Sequence, residues 1–213
     1  TINTTNTMNT INTTNTMNTH LEIPEFLVSF VANSTKEFDE SHNLEHALKV
    51  THASHTIMET IDENYDKKLI TFTAMLHDVC DHKYPCSITE DELIRFIAPH
   101  FTAEKSAAIM DVIHNMSFSK QVKGIAIELA HPYNDYLIAV SDADKLEAIG
   151  QVGIDRCTEY ALTHGGVVPA DVVTHCHEKL LRLLPENFIK SVKGRELAEP
   201  LHNEIVEYVR KHE

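Results

Sequence analysis

The chain has 213 residues, of which 42% are hydrophobic, and this is enough to bury one sizeable core. Its formal net charge is −14 at pH 7, from 18 basic and 32 acidic residues. Proteins that bind nucleic-acid polymers through the phosphates need clustered lysine and arginine. The composition therefore argues against a nucleic-acid polymer as partner and favours a single domain.

The first 19 residues differ from the rest of the chain, because residues 1–9 are repeated without change at residues 10–18. Threonine and asparagine dominate this segment, and it has few large apolar side chains to bury. We expect a disordered or loosely docked low-complexity extension over residues 1–19, with a tendency to aggregate as the alternative, followed by one folded domain over residues 20–213.

The remainder of the chain has apolar residues at helical spacing and no convincing strand alternation. Breakers such as Pro85, Pro99, Pro132 and Pro185 separate the helical segments. We predict helices at residues 25–32, 43–61, 67–79, 89–98, 103–115, 136–163, 171–183 and 193–211. This pattern is typical of an all-α bundle.

The second predicted helix carries His46 on a row with Val50 and Ile57, beside its apolar face. His52 lies on the opposite, polar row. We therefore expect His46 to face the edge of the core and His52 to face solvent. Most other histidines are expected to be capping or solvated residues, including His55, His164, His202 and His212.

The third predicted helix is apolar on almost every side and closes with His77 and Asp78. An ionised carboxylate is strongly destabilised by burial unless a cation, an arginine or a metal lies beside it. His77 adds an imidazole, and a mixed set of imidazole and carboxylate ligands suits Mn(II) or Fe(II). We predict a site for one divalent ion, with Mg(II), Ni(II) and Zn(II) as alternatives.

Two aspartates, Asp142 and Asp144, follow an apolar stretch that begins at Tyr136. Side chains two positions apart on a helix point in different directions, so only one of the two can easily bind the same ion. Helical periodicity does not choose between them.

The order of His46, the His77-Asp78 pair and Asp144 resembles that of the HD-domain metal-dependent phosphohydrolases. The chain is similar to the small stand-alone HD hydrolases in five segments, at residues 41–50, 76–84, 117–119, 142–150 and 175–181. The resemblance implies a single HD-domain helical bundle whose metal ligands are His46, His77, Asp78 and Asp144. It leaves Asp142 outside the ligand set, among the groups that contact substrate or support the ligands.

The reaction implied by this resemblance is metal-assisted hydrolysis of a phosphate ester, most often of a nucleotide. Asp78 and Asp81 are then the candidate catalytic residues, and Asp81 would orient or deprotonate the attacking water. The candidate residues for binding a small phosphorylated substrate are His42, His82, Lys83, Asp142 and Lys179.

The chain departs from the family pattern at Asn43, where aspartate is common. A neutral side chain there is expected to weaken a supporting hydrogen bond and to affect the rate more than the type of reaction. Two other functions stay open. An inactive metal-binding sensor would fit the change at Asn43, and a dinuclear-iron oxygenase would need further histidines between His77 and Asp144, for which the chain offers His100, His114 and His131.

The four cysteines, Cys80, Cys86, Cys157 and Cys176, form no C-x-x-C pair and are expected to be reduced thiols. The sequence contains neither an apolar run of about 18 residues nor a recognisable secretory leader. We therefore expect a cytoplasmic protein without a membrane partner, and the sequence does not indicate its oligomeric state.

Overall fold

A computed structural model describes residues 21–39 and 42–213, and no strand occurs among them. The helices are α1 (Glu25–Ser34), α2 (Leu44–Ile61), α3 (Lys67–Leu76), α4 (Glu90–Ile97), α5 (Ala103–Asn115), α6 (Phe118–Val122), α7 (Tyr133–Leu146), α8 (Gly150–Thr163), α9 (Ala170–Glu178) and α10 (Val192–His212). The predicted all-α fold is confirmed. The repeat at residues 1–19 and the predicted domain boundary lie outside the described residues.

Helices α2, α3 and α7 form the centre of the bundle, because α2 packs against both α3 and α7. Fully buried side chains at this centre include Val50, Ile57, Phe72, Met75 and Val140. Burial of one such side chain stabilises a fold by about 1.5–3 kcal/mol. Helices α1 and α5 pack against α3, and α10 packs against α7 and α8. The elements that carry the predicted ligands therefore belong to the best-packed part of the molecule.

Helix α3 is buried from Leu69 to Leu76, as its continuous apolar sequence predicts. Its start is capped by Asp66, whose carboxylate accepts a hydrogen bond from the backbone N–H of Leu69 at 3.0 Å. The helix ends before the predicted limit at residue 79, and residues 77–80 form a turn. His77 and Asp78 thus lie just beyond the last helical residue.

The prediction of one helix over residues 136–163 is wrong, since the structure divides this segment into α7 and α8. Gly150 has a φ of +73°, a left-handed conformation that interrupts a right-handed helix. A Cβ atom at Gly150 would lie 2.9 Å from Leu201 Cδ2 and 2.9 Å from Glu204 Oε2 of α10. The chain therefore turns shortly after Asp144, and α10 packs against the turn.

Two further differences lie near the end of the chain and around residue 117. Helix α9 ends at Glu178 and is followed by a short 3₁₀ turn, Leu180–Arg182, instead of continuing to residue 183. The segment after Ser117, which lies outside the predicted helices, contains the short helix α6. None of the helices in the described part of the chain combines the length and hydrophobicity needed to cross a bilayer.

Candidate metal centre

His46 lies in the first turn of α2, and Asn43 caps the start of this helix. Asn43 Oδ1 accepts hydrogen bonds from the backbone N–H groups of Glu45 at 2.8 Å and of His46 at 3.2 Å. Asparagine and aspartate are similarly effective at this capping position. The neutral residue therefore retains the cap that sets the direction of the helix at His46.

His77 is buried directly after α3, and its Nδ1 atom lies 2.7 Å from the carbonyl oxygen of Ala74. A carbonyl only accepts hydrogen bonds, so Nδ1 must carry a proton, and in a neutral imidazole Nε2 then has a lone pair. This Nε2 atom lies 3.2 Å from Nε2 of His46. An imidazole with its Nδ1 held by a carbonyl is the usual arrangement in metal-binding histidines.

Two carboxylates join the two imidazoles. His46 Nε2 lies 3.5 Å from Asp78 Oδ2 and 3.4 Å from Asp144 Oδ1. His77 Nε2 lies 3.1 Å from Asp78 Oδ2 and 3.9 Å from Asp144 Oδ1. The ligand atoms of His46, His77 and Asp144 all lie within 4.8 Å of one another. The structure thus brings together the four side chains that the sequence analysis selected as metal ligands.

The spacing of these atoms fits one divalent ion. Nitrogen and oxygen ligands lie about 2.0–2.2 Å from small divalent ions, so neighbouring ligand atoms around such an ion are about 3.0–3.5 Å apart. The distances between the imidazole nitrogens and carboxylate oxygens run from 3.1 to 3.9 Å. Small adjustments of the side chains would therefore be enough to bind an ion.

For both His77 and Asp144, burial and the neighbouring charges shift the pKa in opposite directions. Burial lowers the pKa of His77, but the carboxylates of Asp78 and Asp144 outweigh this effect and raise the pKa to about 9. Burial raises the pKa of Asp144, but the contact with His46 and the charge of His77 hold this pKa well below its usual range. The site therefore favours a positive charge between its carboxylates, and a metal ion supplies such a charge.

Asp142 and Asp144 have different surroundings, as their spacing predicts. Asp142 is buried and accepts hydrogen bonds from the backbone N–H groups of Lys190 at 2.9 Å and Ser191 at 2.7 Å, and from Ser191 Oγ at 2.7 Å. Burial raises the pKa of Asp142, and these hydrogen bonds counteract that rise. Asp142 therefore joins α7 to the start of α10 through these hydrogen bonds.

Asp81 and His42 lie next to the candidate ligands. The backbone N–H of Asp81 donates to the carbonyl oxygen of Asp78 at 2.9 Å, which folds residues 78–81 into a turn. Asp81 Oδ2 lies 3.8 Å from His42 Nε2, and the ring centroids of His42 and His46 are 6.2 Å apart. The predicted catalytic carboxylate and one predicted phosphate ligand are thus neighbours.

Two of the other predicted substrate contacts also lie beside Asp81, with Lys83 Nζ 3.3 Å from Asp81 Oδ2 and His82 Nδ1 3.7 Å from Asp81 Oδ1. His82 and Lys83 follow Asp81 and have side chains that are 96% and 63% exposed. Lys179 directly follows α9, and its Nζ atom lies 5.6 Å from the ring centroid of Phe118. A role in substrate binding stays a prediction for these three residues.

Lys145 is buried directly after Asp144, and it was not among the predicted site residues. Its Nζ atom donates to the carbonyl oxygen of Ser141 at 3.1 Å and to the Ser141 hydroxyl. Burial lowers the pKa of Lys145, the two nearby aspartates raise it, and Lys190 and Lys179 lower it again, to about 8. A lysine is usually solvated, so the residue type does not predict this burial. The sequence indicates a role for Lys145 only through its position next to Asp144.

His55 is buried, and the prediction of a capping or solvated residue there is wrong. It lies on the buried face of α2, where its Nδ1 atom is 2.6 Å from Tyr65 Oη and its Nε2 atom is 2.8 Å from Thr71 Oγ1. Burial lowers the pKa of His55 to about 4. Two hydroxyl groups thus satisfy a neutral imidazole inside the core.

The three histidines considered for a dinuclear centre have other partners. His114 Nε2 lies 3.0 Å from Glu90 Oε1, and His131 Nδ1 lies 3.3 Å from Asp135 Oδ2. His100 stacks on Phe26, with ring centroids 4.9 Å apart. Within residues 21–39 and 42–213, these histidines do not belong to the group of ligand atoms at His46.

Known proteins are similar to this chain in sequence and in fold, although no model of a protein family matches it. YpgQ of Bacillus subtilis is 31% identical over 200 residues, which cover 90% of this chain and 92% of YpgQ. A crystal structure of YpgQ in complex with ADP has a TM-score of 0.69 at 24% identity and covers 88% of this chain and 91% of that one. An HD-superfamily hydrolase from Bacillus thuringiensis has a TM-score of 0.66 at 23% identity and covers 88% of this chain and 93% of that one. The chain therefore belongs to the same family as YpgQ, and it has the fold of the HD-superfamily hydrolase from Bacillus thuringiensis.

Proposed function

We propose that the chain is a divalent-metal-dependent phosphohydrolase that cleaves a phosphate ester, preferably that of a nucleotide. The observation that supports this most strongly is the meeting of two imidazole Nε2 atoms with two carboxylates, at distances from 3.1 to 3.9 Å. We assign the metal to His46, His77, Asp78 and Asp144. This mixed set of ligands favours Mn(II) or Fe(II), with Mg(II), Ni(II) and Zn(II) as alternatives.

When bound, the ion supplies a Lewis acid for a phosphoryl oxygen and lowers the pKa of a water molecule. Asp81 is the carboxylate that we assign to orient the attacking water and accept its proton, because its backbone is tied to Asp78. His42 is assigned to a phosphate oxygen. Its Nε2 atom is 3.8 Å from Asp81 Oδ2, too far for a direct hydrogen bond, and a water or substrate oxygen beside the pair could contact both groups.

Positive charge near Asp144 is needed because the net charge of −14 repels anionic substrates at long range. Lys145 experiences the charges of Lys179 and Lys190, so the three ammonium groups share one region. We assign Lys179, with its partly exposed side chain, to phosphate binding, and Lys145 to offsetting the charge of the carboxylates. His82 and Lys83 are assigned to phosphates that reach the surface, whereas Asp142 is left out of the substrate contacts.

The choice of a nucleotide rests on the relatives of this chain. YpgQ has been crystallised in complex with ADP, a molecule with phosphate ester and anhydride bonds. A site with a divalent ion and nearby lysines has the chemistry to bind and cleave such bonds.

The test is an assay of the full chain with Mn(II) and a panel of nucleoside mono-, di- and triphosphates, in which released phosphate and pyrophosphate are measured. We expect release by the wild-type protein and a loss of at least about 100-fold for Asp78→Asn. Asp111→Asn, which changes an exposed aspartate of α5, is the matched control and should keep full activity.

Three outcomes would contradict the proposal in whole or in part. Consumption of oxygen without release of phosphate would favour the dinuclear oxygenase. Metal binding with neither activity on any of these nucleotides would favour a binding module. Equal activity of Asp78→Asn and Asp111→Asn would remove Asp78 from the reaction.

A further inference from the structure

A polar network of Asp39, His42 and Tyr84 lies beside the candidate metal centre. Tyr84 Oη donates to Asp39 Oδ2 at 2.6 Å. His42 Nδ1 lies 2.9 Å from Tyr84 Oη and 3.1 Å from Asp39 Oδ1. The ring of Tyr84 stacks on Phe38, with centroids 4.0 Å apart and an angle of 11° between the rings. Stacking on Phe38 thus holds the ring of Tyr84, and the Asp39 carboxylate holds its hydroxyl group.

The directions of these hydrogen bonds determine which nitrogen of His42 is protonated. The Tyr84 hydroxyl donates its hydrogen bond to Asp39, so that its oxygen can only accept from His42. Asp39 Oδ1 also only accepts, and His42 Nδ1 therefore faces two acceptors and must carry a proton. Burial and the contact with Asp39 raise the pKa of Tyr84 well above its usual value, which keeps the hydroxyl a donor.

The other nitrogen of the same ring faces the candidate active site. His42 Nε2 lies 3.8 Å from Asp81 Oδ2, and the ring of His42 lies next to that of His46. Rotation of the imidazole by half a turn would put Cδ2 in the place of Nδ1 and Cε1 in the place of Nε2, so that neither nitrogen would keep its present neighbours. The contacts of Nδ1 with Tyr84 and Asp39 oppose this rotation.

We propose that Tyr84 is a positioning residue, which together with Asp39 holds the His42 imidazole with a protonated Nδ1 and with Nε2 directed at Asp81. This inference rests on the proposed function, because His42 is the residue assigned there to a phosphate oxygen. Tyr84 acts through His42, and no contact of Tyr84 with the substrate is required. A phosphate oxygen accepts only from a protonated Nε2, so His42 binds it as an imidazolium whose Nδ1–H stays with Tyr84 and Asp39. A ring already held in one orientation loses less entropy on binding.

Tyr84→Phe is the variant that separates this role from a purely structural one. Phenylalanine retains the ring that stacks on Phe38 and removes only the hydroxyl. His42 Nδ1 then keeps the more distant acceptor, Asp39 Oδ1 at 3.1 Å, and loses the closer one. Tyr160→Phe is the matched control, since the side chain of Tyr160 is 66% exposed on α8.

The first measurement is a long-range ¹H–¹⁵N NMR spectrum of the full chain with Mg(II), a diamagnetic ion, at about pH 8, where an imidazole is ordinarily neutral. His42→Gln identifies the His42 signals by their loss. We expect a protonated Nδ1 and an unprotonated Nε2 in the wild type and in Tyr160→Phe, and a mixture of the two tautomers in Tyr84→Phe. An unchanged tautomer in Tyr84→Phe would overturn the proposal.

The second measurement is steady-state hydrolysis of ADP with Mn(II). Tyr84→Phe should raise KM by about twofold to tenfold, the effect of one hydrogen bond, and leave kcat within about twofold. A fall in kcat with an unaltered KM would contradict a role in positioning a phosphate ligand. Tyr160→Phe should change neither constant.

The two measurements distinguish failure of this inference from failure of the proposed function. The NMR spectrum requires no turnover, so it decides the role of Tyr84 even if the chain does not hydrolyse ADP. If Tyr84→Phe does not fold, Asp39→Asn alters the same pair of acceptors and is measured in the same way. An unchanged His42 tautomer in Asp39→Asn would then refute the inference.

Discussion

The Nε2 atoms of His46 and His77 lie 3.2 Å apart, although 31 positions separate these residues in the sequence. His77 Nδ1 donates to Ala74, so a neutral His77 turns a lone pair toward His46. Two imidazole nitrogens can lie this close together if a proton or a cation lies between them. A shared cation also satisfies the carboxylates of Asp78 and Asp144, which contact the same two nitrogens.

Removal of the Asp144 carboxylate is predicted to abolish metal binding. Asp144→Ala takes away an oxygen that lies 3.4 Å from His46 Nε2. We expect the affinity for Mn(II) to fall by more than about 100-fold, which is the upper range for losing a group that only supports a ligand. Isothermal titration calorimetry with Mn(II) measures this change.

Asp142→Ala is the matched control for that measurement, and it is predicted to change stability instead. The variant leaves the donors of Lys190 and Ser191 without their charged acceptor. We expect an affinity for Mn(II) within about threefold of the wild type and a loss of about 2–4 kcal/mol in the free energy of unfolding. If Asp142→Ala lost the metal and Asp144→Ala retained it, our choice of the fourth ligand would be wrong.

Chelation is predicted to lower the melting temperature. A ligand that binds only the folded state, present at 100 times its Kd, stabilises the protein by about 2.7 kcal/mol. For a domain of this size, this amounts to about 5–10 °C in Tm. Thermal scans with EDTA and with Mn(II) should show this difference for the wild type and none for Asp144→Ala. Identical scans of the wild type under both conditions would argue against a metal that binds to the folded chain.

His55 is predicted to make the protein less stable in mild acid. Its pKa falls from 6.5 to about 4 on folding, so between these values the unfolded chain binds a proton that the folded chain does not. The resulting loss in the free energy of unfolding is therefore absent above pH 6.5, grows as the pH falls and levels off near pH 4, at about 2–3 kcal/mol. Urea denaturation at several pH values measures it.

His55→Gln should flatten the decrease in stability between pH 6.5 and 4, because glutamine does not titrate. His164→Gln, a change at an exposed histidine, is the control and should keep the wild-type dependence. Parallel curves for the two variants would show that another group causes the decrease.

The sequence predicts those features that depend on neighbouring residues. The continuous apolar run of α3 indicates a buried helix, and a carboxylate at its end requires a positive partner, which leads to Asp78. The row of residues that contains His46 also follows from helical spacing. Both features place a ligand close to the core without any knowledge of the tertiary contacts.

Features that depend on distant contacts could not be predicted in this way. The break at Gly150 depends on α10, where Leu201 and Glu204 occupy the space beside it. The different surroundings of Asp142 and Asp144 depend on Ser191, which follows 49 positions after Asp142. Helical periodicity contains no information about such partners, and only the resemblance to the HD hydrolases selected Asp144.

The buried polar residues are a second group that the sequence does not predict. Lysine and histidine are usually exposed, yet Lys145 is held by Ser141, and His55 is held by Tyr65 and Thr71. Their burial depends on hydrogen-bond partners one turn away on the same helix, in the loop after α2 or on a neighbouring helix. The pattern of apolar residues records the core but not these internal partners.

The number of metal ions per chain is the measurement that we would make first. The full chain is purified, reloaded with Mn(II) or Fe(II) without oxygen, freed of unbound metal and subjected to elemental analysis. We expect about one ion per chain, held by His46, His77, Asp78 and Asp144. A chain that retains no ion after reloading would contradict the metal centre, and about two ions per chain would contradict a site for one ion and favour the dinuclear alternative.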